Sequence, residues 1–147
     1  MQERLLADRD GLRTFVLVME TGDEVMAKLQ DFAKRHDLAA AQFSGIGAFS
    51  DAVLNYFDWE QKKYLPNPVK EQVEVASMIG DVAVAPDGKP SVHVHLVLGR
   101  RDGAALAGHL GEAHVRPTLE IILTEAPTHL RKRKDPATGL ALIRPET

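Results

Sequence analysis

Strand-like segments dominate this sequence, and only one stretch of it carries a helical repeat. Residues 21–24 combine a favourable N-cap residue with acidic residues, a pattern typical of a helix start. Apolar residues then recur at helical spacing until Asp37, which predicts one amphipathic helix of about three to four turns. The residues of this apolar stripe are Val25, Met26, Leu29, Phe32 and Ala33.

Most other segments are rich in β-branched and apolar residues, and some alternate with a period of two. The tetrapeptide Ala-Pro-Asp-Gly at residues 85–88 has proline second and glycine fourth, which favours a type I turn and therefore a hairpin. The sequence has no internal repeat, low-complexity segment or linker, so we predict one α+β domain. The predicted strands cover residues 12–19, 40–47, 52–57, 63–65, 73–79, 81–84, 92–98, 117–124 and 140–143.

Composition limits both the class of protein and the kinds of site it can carry. The chain has 147 residues, of which 44% are hydrophobic, and this is enough apolar material for one core. It contains no cysteine, so a metal must be held by histidine, carboxylate or backbone oxygen. It has neither an apolar run of about 18 residues nor a signal-peptide pattern. We therefore expect a cytoplasmic protein without a membrane span.

The charge balance argues against a nucleic-acid binder that works through bulk charge. The net charge is −3, whereas phosphate neutralisation needs clustered lysine and arginine. The one strong basic run is Arg-Lys-Arg-Lys at residues 131–134. Charge runs of this kind are usually solvated, so we expect a solvated loop there.

A histidine pair is the most informative local feature. His93 and His95 are two residues apart in a predicted strand, so both side chains point to the same face. Two imidazoles in this arrangement can converge on one zinc ion at Zn–N distances of about 2.0–2.1 Å. The alternating residues Val92, Val94, Leu96 and Leu98 then occupy the opposite face, where we expect the core.

His109 is the candidate third ligand, brought in by a loop that follows the strand. Gly99 and Gly103 permit the chain to turn back, and Gly108 allows a close backbone approach beside His109. Three neutral imidazoles are a familiar zinc shell that leaves the fourth position open. The same spacing also fits a half-exposed polar stripe or a proton switch.

Other polar residues have simpler interpretations. His36 lies at the end of the predicted helix, where the macrodipole favours positive charge. Neither His114 nor His129 has a partner at a useful spacing. The glycines at residues 45 and 47 favour a bulge or a close backbone approach rather than a phosphate loop. We expect the three acidic residues that could approach the metal to be solvated instead. These residues are Glu71, Glu74 and Glu120.

Four segments in order resemble the plants-and-prokaryotes-conserved (PPC) domain. They read GIGAFS at 45–50, EVASMIGDV at 74–82, HVHLVLG at 93–99 and AGHL at 107–110. The resemblance extends from about residue 13 to about residue 143. It implies a single PPC-like domain over residues 1–147, with a mainly antiparallel sheet and one principal helix packed on it.

The resemblance also implies an assembly and a cofactor. PPC domains form homotrimers, and some bacterial members hold zinc on three histidines at positions that match His93, His95 and His109. In plants the domain follows an AT-hook, an Arg-Gly-Arg-Pro arm that enters the minor groove of DNA. No such stretch occurs in this sequence, which therefore resembles the bacterial stand-alone type.

Three functions remain open on the sequence. The first is a zinc-binding homotrimeric module with a binding or regulatory role, which meets protein partners and is linked to DNA only weakly or indirectly. The second is a zinc-dependent hydrolase or lyase that uses an open metal position. The third is direct DNA binding, which the acidic net charge opposes.

Overall fold

The computed structural model describes residues 1–145, most of which lie in strands. The predicted helix and strands are all present, although some predicted strands merge. Residues 73–79 and 81–84 form one strand, and residues 40–47 and 52–57 belong to another. The bounds are β1 Gln2–Arg9, β2 Leu12–Glu20, α1 Val25–Arg35, β3 Ala40–Asp58, β4 Lys63–Val69, β5 Val73–Val84, β6 Pro90–Gly99, β7 Ala105–Glu125, β8 Lys132–Lys134 and β9 Ala141–Ile143.

Seven strands form one sheet in the order β1-β2-β7-β6-β5-β3-β4, and all neighbouring pairs are antiparallel. Strand β7 also pairs with β3, so β3, β5, β6 and β7 make a closed ring of paired strands. Strands β8 and β9 form a separate two-stranded sheet. The expectation of a mainly antiparallel sheet is confirmed, while the single helix has only 11 residues and is a modest part of the fold.

The helix begins where the sequence predicts and covers the core side of the sheet. Glu24 is its N-cap, and the carboxylate accepts hydrogen bonds from the backbone N–H groups of Met26 and Ala27 at 3.1 and 2.6 Å. Leu29 and Phe32 are buried, and α1 packs against β6 and β7. Within residues 1–145, no helix is long and apolar enough to cross a bilayer.

The strand register aligns one row of side chains across the face turned away from the core, which we call the outer face. His95 is the partner of Ile79, and Ser44 is the partner of both Ile79 and Ile122. Ile79 is 60% exposed and Ile122 is 48% exposed. On the opposite face of β6, Val94, Leu96 and Leu98 are buried, as the sequence predicts. Val92, which was predicted to lie with them, is only partly buried and packs against the core.

Strand β1 was not predicted, and its environment explains why. All eight of its residues are exposed, so the sequence has no buried apolar alternation there. The strand is held by its pairing with β2 and by Glu3, which forms an ion pair with Arg35 at 2.7 Å and a hydrogen bond with His36 at 2.9 Å. His36 therefore has a specific partner besides its position at the helix end.

The glycine pair in β3 serves a close approach between strands, as expected. The β3–β5 register shifts between Gly45 and Gly47, which marks a bulge. A Cβ atom added to Gly47 would lie 2.2 Å from the carbonyl oxygen of Thr118 and 2.7 Å from the Cα atom of Leu119. Any side chain at this position would therefore push β3 and β7 apart.

The basic run at residues 131–134 differs from its prediction. Three of its residues form strand β8 rather than a loop, and the Lys132 side chain is only 5% exposed. The expectation of a solvated loop is wrong for Lys132, because a long-range partner holds its ammonium group. The neighbouring Arg131, Arg133 and Lys134 are exposed.

Candidate metal centre

Strands β6 and β7 bring the three predicted histidines together. His93 and His95 share the outer face of β6, and His95 is the direct cross-strand partner of His109. The ring centroids lie 4.9 to 5.3 Å apart. One nitrogen of each ring lies within 4.8 Å of those of the other two, so one ion can be reached from all three.

The location of His109 differs from the predicted loop. The backbone N–H of Arg100 donates to the carbonyl oxygen of Ala104 at 2.8 Å, and β7 already begins at Ala105. The loop that turns the chain back is therefore shorter than expected. His109 therefore lies on a strand, not in a loop. At Gly108 an added Cβ atom would lie 3.1 Å from Cβ of Leu54, so this glycine does permit the close approach that was predicted.

The ring chemistry fits a metal. Burial lowers the pKa of His109 to about 4, and the neighbouring charges of His93 and His95 contribute to the shift. Burial also lowers the pKa of His95. Both imidazoles are therefore neutral at pH 7, the form that binds metal. Among the described residues, the buried Nδ1 atom of His109 has no hydrogen-bond partner, as expected of a nitrogen that has a metal ligand role.

The Asp81 carboxylate contacts the His93 ring, and the ammonium group of Lys132 contacts the same carboxylate. Nδ1 of His93 lies 3.2 Å from Oδ2 of Asp81, and Nζ of Lys132 lies 3.2 Å from Oδ1 of the same carboxylate. Burial alone would raise the pKa of Asp81, but the hydrogen bond with His93 and the charge of Lys132 keep it below its usual value. A carboxylate on one ring nitrogen fixes the tautomer and leaves the other nitrogen for an ion.

An aromatic ring packs on the third histidine. Tyr64 of β4 stacks on His109 with ring centroids 4.7 Å apart and an interplanar angle of 27°. Burial raises the pKa of Tyr64, so its hydroxyl stays protonated at pH 7. This stacking limits the rotation of the His109 ring, which lies next to the other two imidazoles.

All three imidazoles line one cavity of about 650 Å³, a volume typical of small-molecule sites. Asp81 and Lys132 line the same cavity, and much of its remaining lining is apolar. A second groove of about 600 Å³ shares His93 and His95 and continues over the outer face past Ile122. The apolar wall of the cavity includes Phe57, Tyr64, Leu140, Leu142 and Ile143.

The family assignment rests on a match to most of the chain. The sequence model described as the Plants and Prokaryotes Conserved (PCC) domain, abbreviated PPC above, matches residues 7–127. This chain belongs to that family. The three histidines of the PPC domain fall inside the matched range, whereas β8 and β9 lie beyond its end.

Solved structures agree with the assignment. The PPC domain is 32% identical to a metal-containing protein from Archaeoglobus fulgidus, with a TM-score of 0.82 over 90% of this chain and 93% of that one. It is 31% identical to a PPC protein from Pyrococcus horikoshii, with a TM-score of 0.84 over 99% and 96% of the two chains. A candidate DNA-binding protein from Ralstonia eutropha is 28% identical, with a TM-score of 0.82 over 90% and 91%. No curated protein sequence matches this chain at a significant level.

The remaining polar residues of the PPC domain lie outside the metal centre. Nδ1 of His114 lies 2.8 Å from Oδ1 of Asp51, and the hydrogen bond that the ring donates to this carboxylate raises the pKa of His114. No local pattern could predict this pair, because its members are 63 residues apart. The exposed Glu71 pairs with Arg100, and His129 is exposed. Glu74 and Glu120 are also exposed, as expected of solvated strand residues.

Proposed function

We propose that this PPC domain is a zinc-binding homotrimeric module, with one zinc ion held by His93, His95 and His109. The observation that carries the proposal is the convergence of three imidazole nitrogens within 4.8 Å. Two of the rings have lowered pKa values, and a set of three neutral imidazoles suits zinc. The similarity to a metal-containing protein at 32% identity adds support.

Metal analysis of the purified protein tests the zinc assignment. We expect about one zinc ion per chain, because three imidazoles are a sufficient protein shell for one ion. The protein should be prepared without a histidine tag, and its metals should be measured by elemental analysis after gel filtration. A different metal at the same stoichiometry would contradict the choice of zinc, and a metal-free protein that also fails to bind added zinc would contradict the site.

The proposed trimer is supported by the outer face. Ile46 is 62% exposed, and Ile79 and Ile122 on the same face are also largely exposed. Several large exposed apolar side chains on one face are typical of an interaction site. Assembly of three copies would remove these side chains from water and would leave the module a polar surface with which to meet protein partners.

The cavity above the histidines supports a second candidate function, a zinc-dependent hydrolase or lyase. Zinc with an open coordination position can polarise a carbonyl group or activate water. Hydrolysis normally also needs a general base near the metal. Asp81 is the only carboxylate among the described residues that line the cavity, and its oxygens already face His93 and Lys132. This engagement favours the binding module over the enzyme.

Binding to DNA should be weak and without sequence preference. The net charge is −3 per chain, three copies would carry −9, and the burial of Lys132 leaves the exposed basic run with three cations. Phosphate contacts from so few cations fade steeply with salt. We expect an anisotropy titration with duplex DNA near physiological salt to give a dissociation constant above about 1 µM.

The control for this titration is a variant in which the exposed Arg131, Arg133 and Lys134 are alanine and the buried Lys132 is kept. If the unchanged protein binds duplex DNA below micromolar concentration at this salt, and the variant loses that binding, the module binds DNA directly. The resemblance in fold to the candidate DNA-binding protein from Ralstonia eutropha would then extend to function.

A further inference from the structure

The cavity above the three histidines has a charged side and an apolar side. Its charged side carries the imidazoles with Asp81 and Lys132, and its apolar side carries Phe57, Tyr64 and the side chains of β9. The β8–β9 hairpin supplies both Lys132 and the wall residues Leu142 and Ile143. This hairpin lies beyond residue 127, where the family match ends.

Lys132 can donate one further hydrogen bond inside the cavity. Its ammonium group carries three protons, and the structure gives it two partners, the Asp81 carboxylate at 3.2 Å and the Ser91 carbonyl at 3.3 Å. The side chain is almost fully buried, so bulk water has little access to the third proton. A buried donor without a partner is costly, and a ligand in the cavity can supply the missing acceptor.

The charge balance of the cavity calls for an anion once a metal is bound. Asp81 is its only carboxylate and Lys132 its only cationic side chain among the described lining residues, so these two charges cancel. The histidines are neutral when they act as ligands. A divalent ion therefore leaves two positive charges unmatched in the cavity, and these charges attract an anion.

The polar and apolar groups that line the cavity indicate which class of anion it can bind. Phosphate groups are typically held by several donors, such as arginine forks or a row of backbone N–H groups. No arginine lines the described part of this cavity, and one lysine suits a single carboxylate better. Phe57, Tyr64, Leu142 and Ile143 line the same cavity and offer apolar surface to the remainder of the ligand.

We infer that this cavity binds a small monocarboxylate with an aliphatic or aromatic body. The carboxylate lies toward the histidines and Lys132, and the body packs on the wall formed by the β8–β9 hairpin and the two aromatic rings. The inference rests on the proposed zinc site, because the ion supplies the excess positive charge.

Calorimetric titration of the zinc-loaded protein with phenylacetate tests the inference. Phenylacetamide has the same body without the charge, and acetate has the charge without the body. We expect phenylacetate to bind about tenfold more tightly than either control compound, since each control lacks one of the two interactions. Equal affinity for phenylacetate and phenylacetamide, or no binding of phenylacetate, would overturn the inference.

Variants locate the binding to the cavity. Lys132→Met should weaken phenylacetate binding by about tenfold, whereas Lys134→Met, which removes an exposed lysine from the same strand, should leave it unchanged. Leu142→Ala should weaken phenylacetate but not acetate. If Lys132→Met does not fold, the ligand series and Leu142→Ala decide the question; if it folds and binds phenylacetate normally, the inference is wrong.

Zinc content measured on the same samples separates the two proposals. A protein with one zinc ion per chain that does not prefer phenylacetate retains the proposed function and loses this inference. A protein that cannot be loaded with zinc loses the proposed function, and this inference falls with it.

Discussion

Replacing His109 with alanine is expected to lower the zinc content of the purified protein from about one ion per chain to less than about a tenth of that value. The variant retains only His93 and His95, two neighbours on one strand. Two imidazoles leave half of a tetrahedral shell without protein ligands, so the ion should be lost during gel filtration. Elemental analysis of tag-free protein measures the effect, and His93→Ala should behave in the same way.

The matched control is His129→Ala, which removes an exposed histidine outside the cavity. It should retain the full zinc content, and circular dichroism should show that both variants keep the strand signal of the unchanged protein. Full zinc content in a folded His109→Ala protein would show that the ion is bound elsewhere.

Ile46→Asp is expected to convert the proposed trimer into monomers. Ile46 is 62% exposed on the outer face of the single chain, and trimer formation would bury it. A carboxylate buried without a partner costs several kcal/mol in practice, which is comparable to the free energy that holds many assemblies together. Sedimentation equilibrium at micromolar concentration should give the mass of three chains for the unchanged protein and of one chain for Ile46→Asp.

Trp59→Asp is the control for this experiment, because Trp59 is also a large exposed apolar residue but lies in the β3–β4 turn. It should remain trimeric. A monomeric mass for the unchanged protein would rule out the trimer, and a trimeric Ile46→Asp protein would place the interface on another surface.

Local spacing was sufficient to predict the part of the metal centre that lies on one strand. Alternation in β6 puts Val94, Leu96 and Leu98 in the core, so His93 and His95 must face the other way. The turn-back after Gly99 brought in the third histidine, but its exact partner could not be predicted. That His109 lies opposite His95 depends on the length of the turn, which local patterns define poorly.

Residues whose environment depends on distant partners were missed. Lys132 belongs to a run of four basic residues, and its burial depends on Asp81, which lies 51 positions earlier in the chain. His114 depends in the same way on Asp51. Strand β1 was not predicted for a different reason, since it buries no side chain and is defined mainly by its hydrogen bonds to β2.

The placement of the histidines on paired strands affects how an ion could bind and be released. Many small zinc domains fold only when the metal binds, because the ion replaces a core. Here a core of buried residues from the helix and the sheet stands behind β6 and β7, and backbone hydrogen bonds hold the ligand strands in register. If an ion binds to these histidines, the chain can release it and remain folded. Its occupancy would then follow the concentration of free metal, as that of a reversible sensor or buffer does.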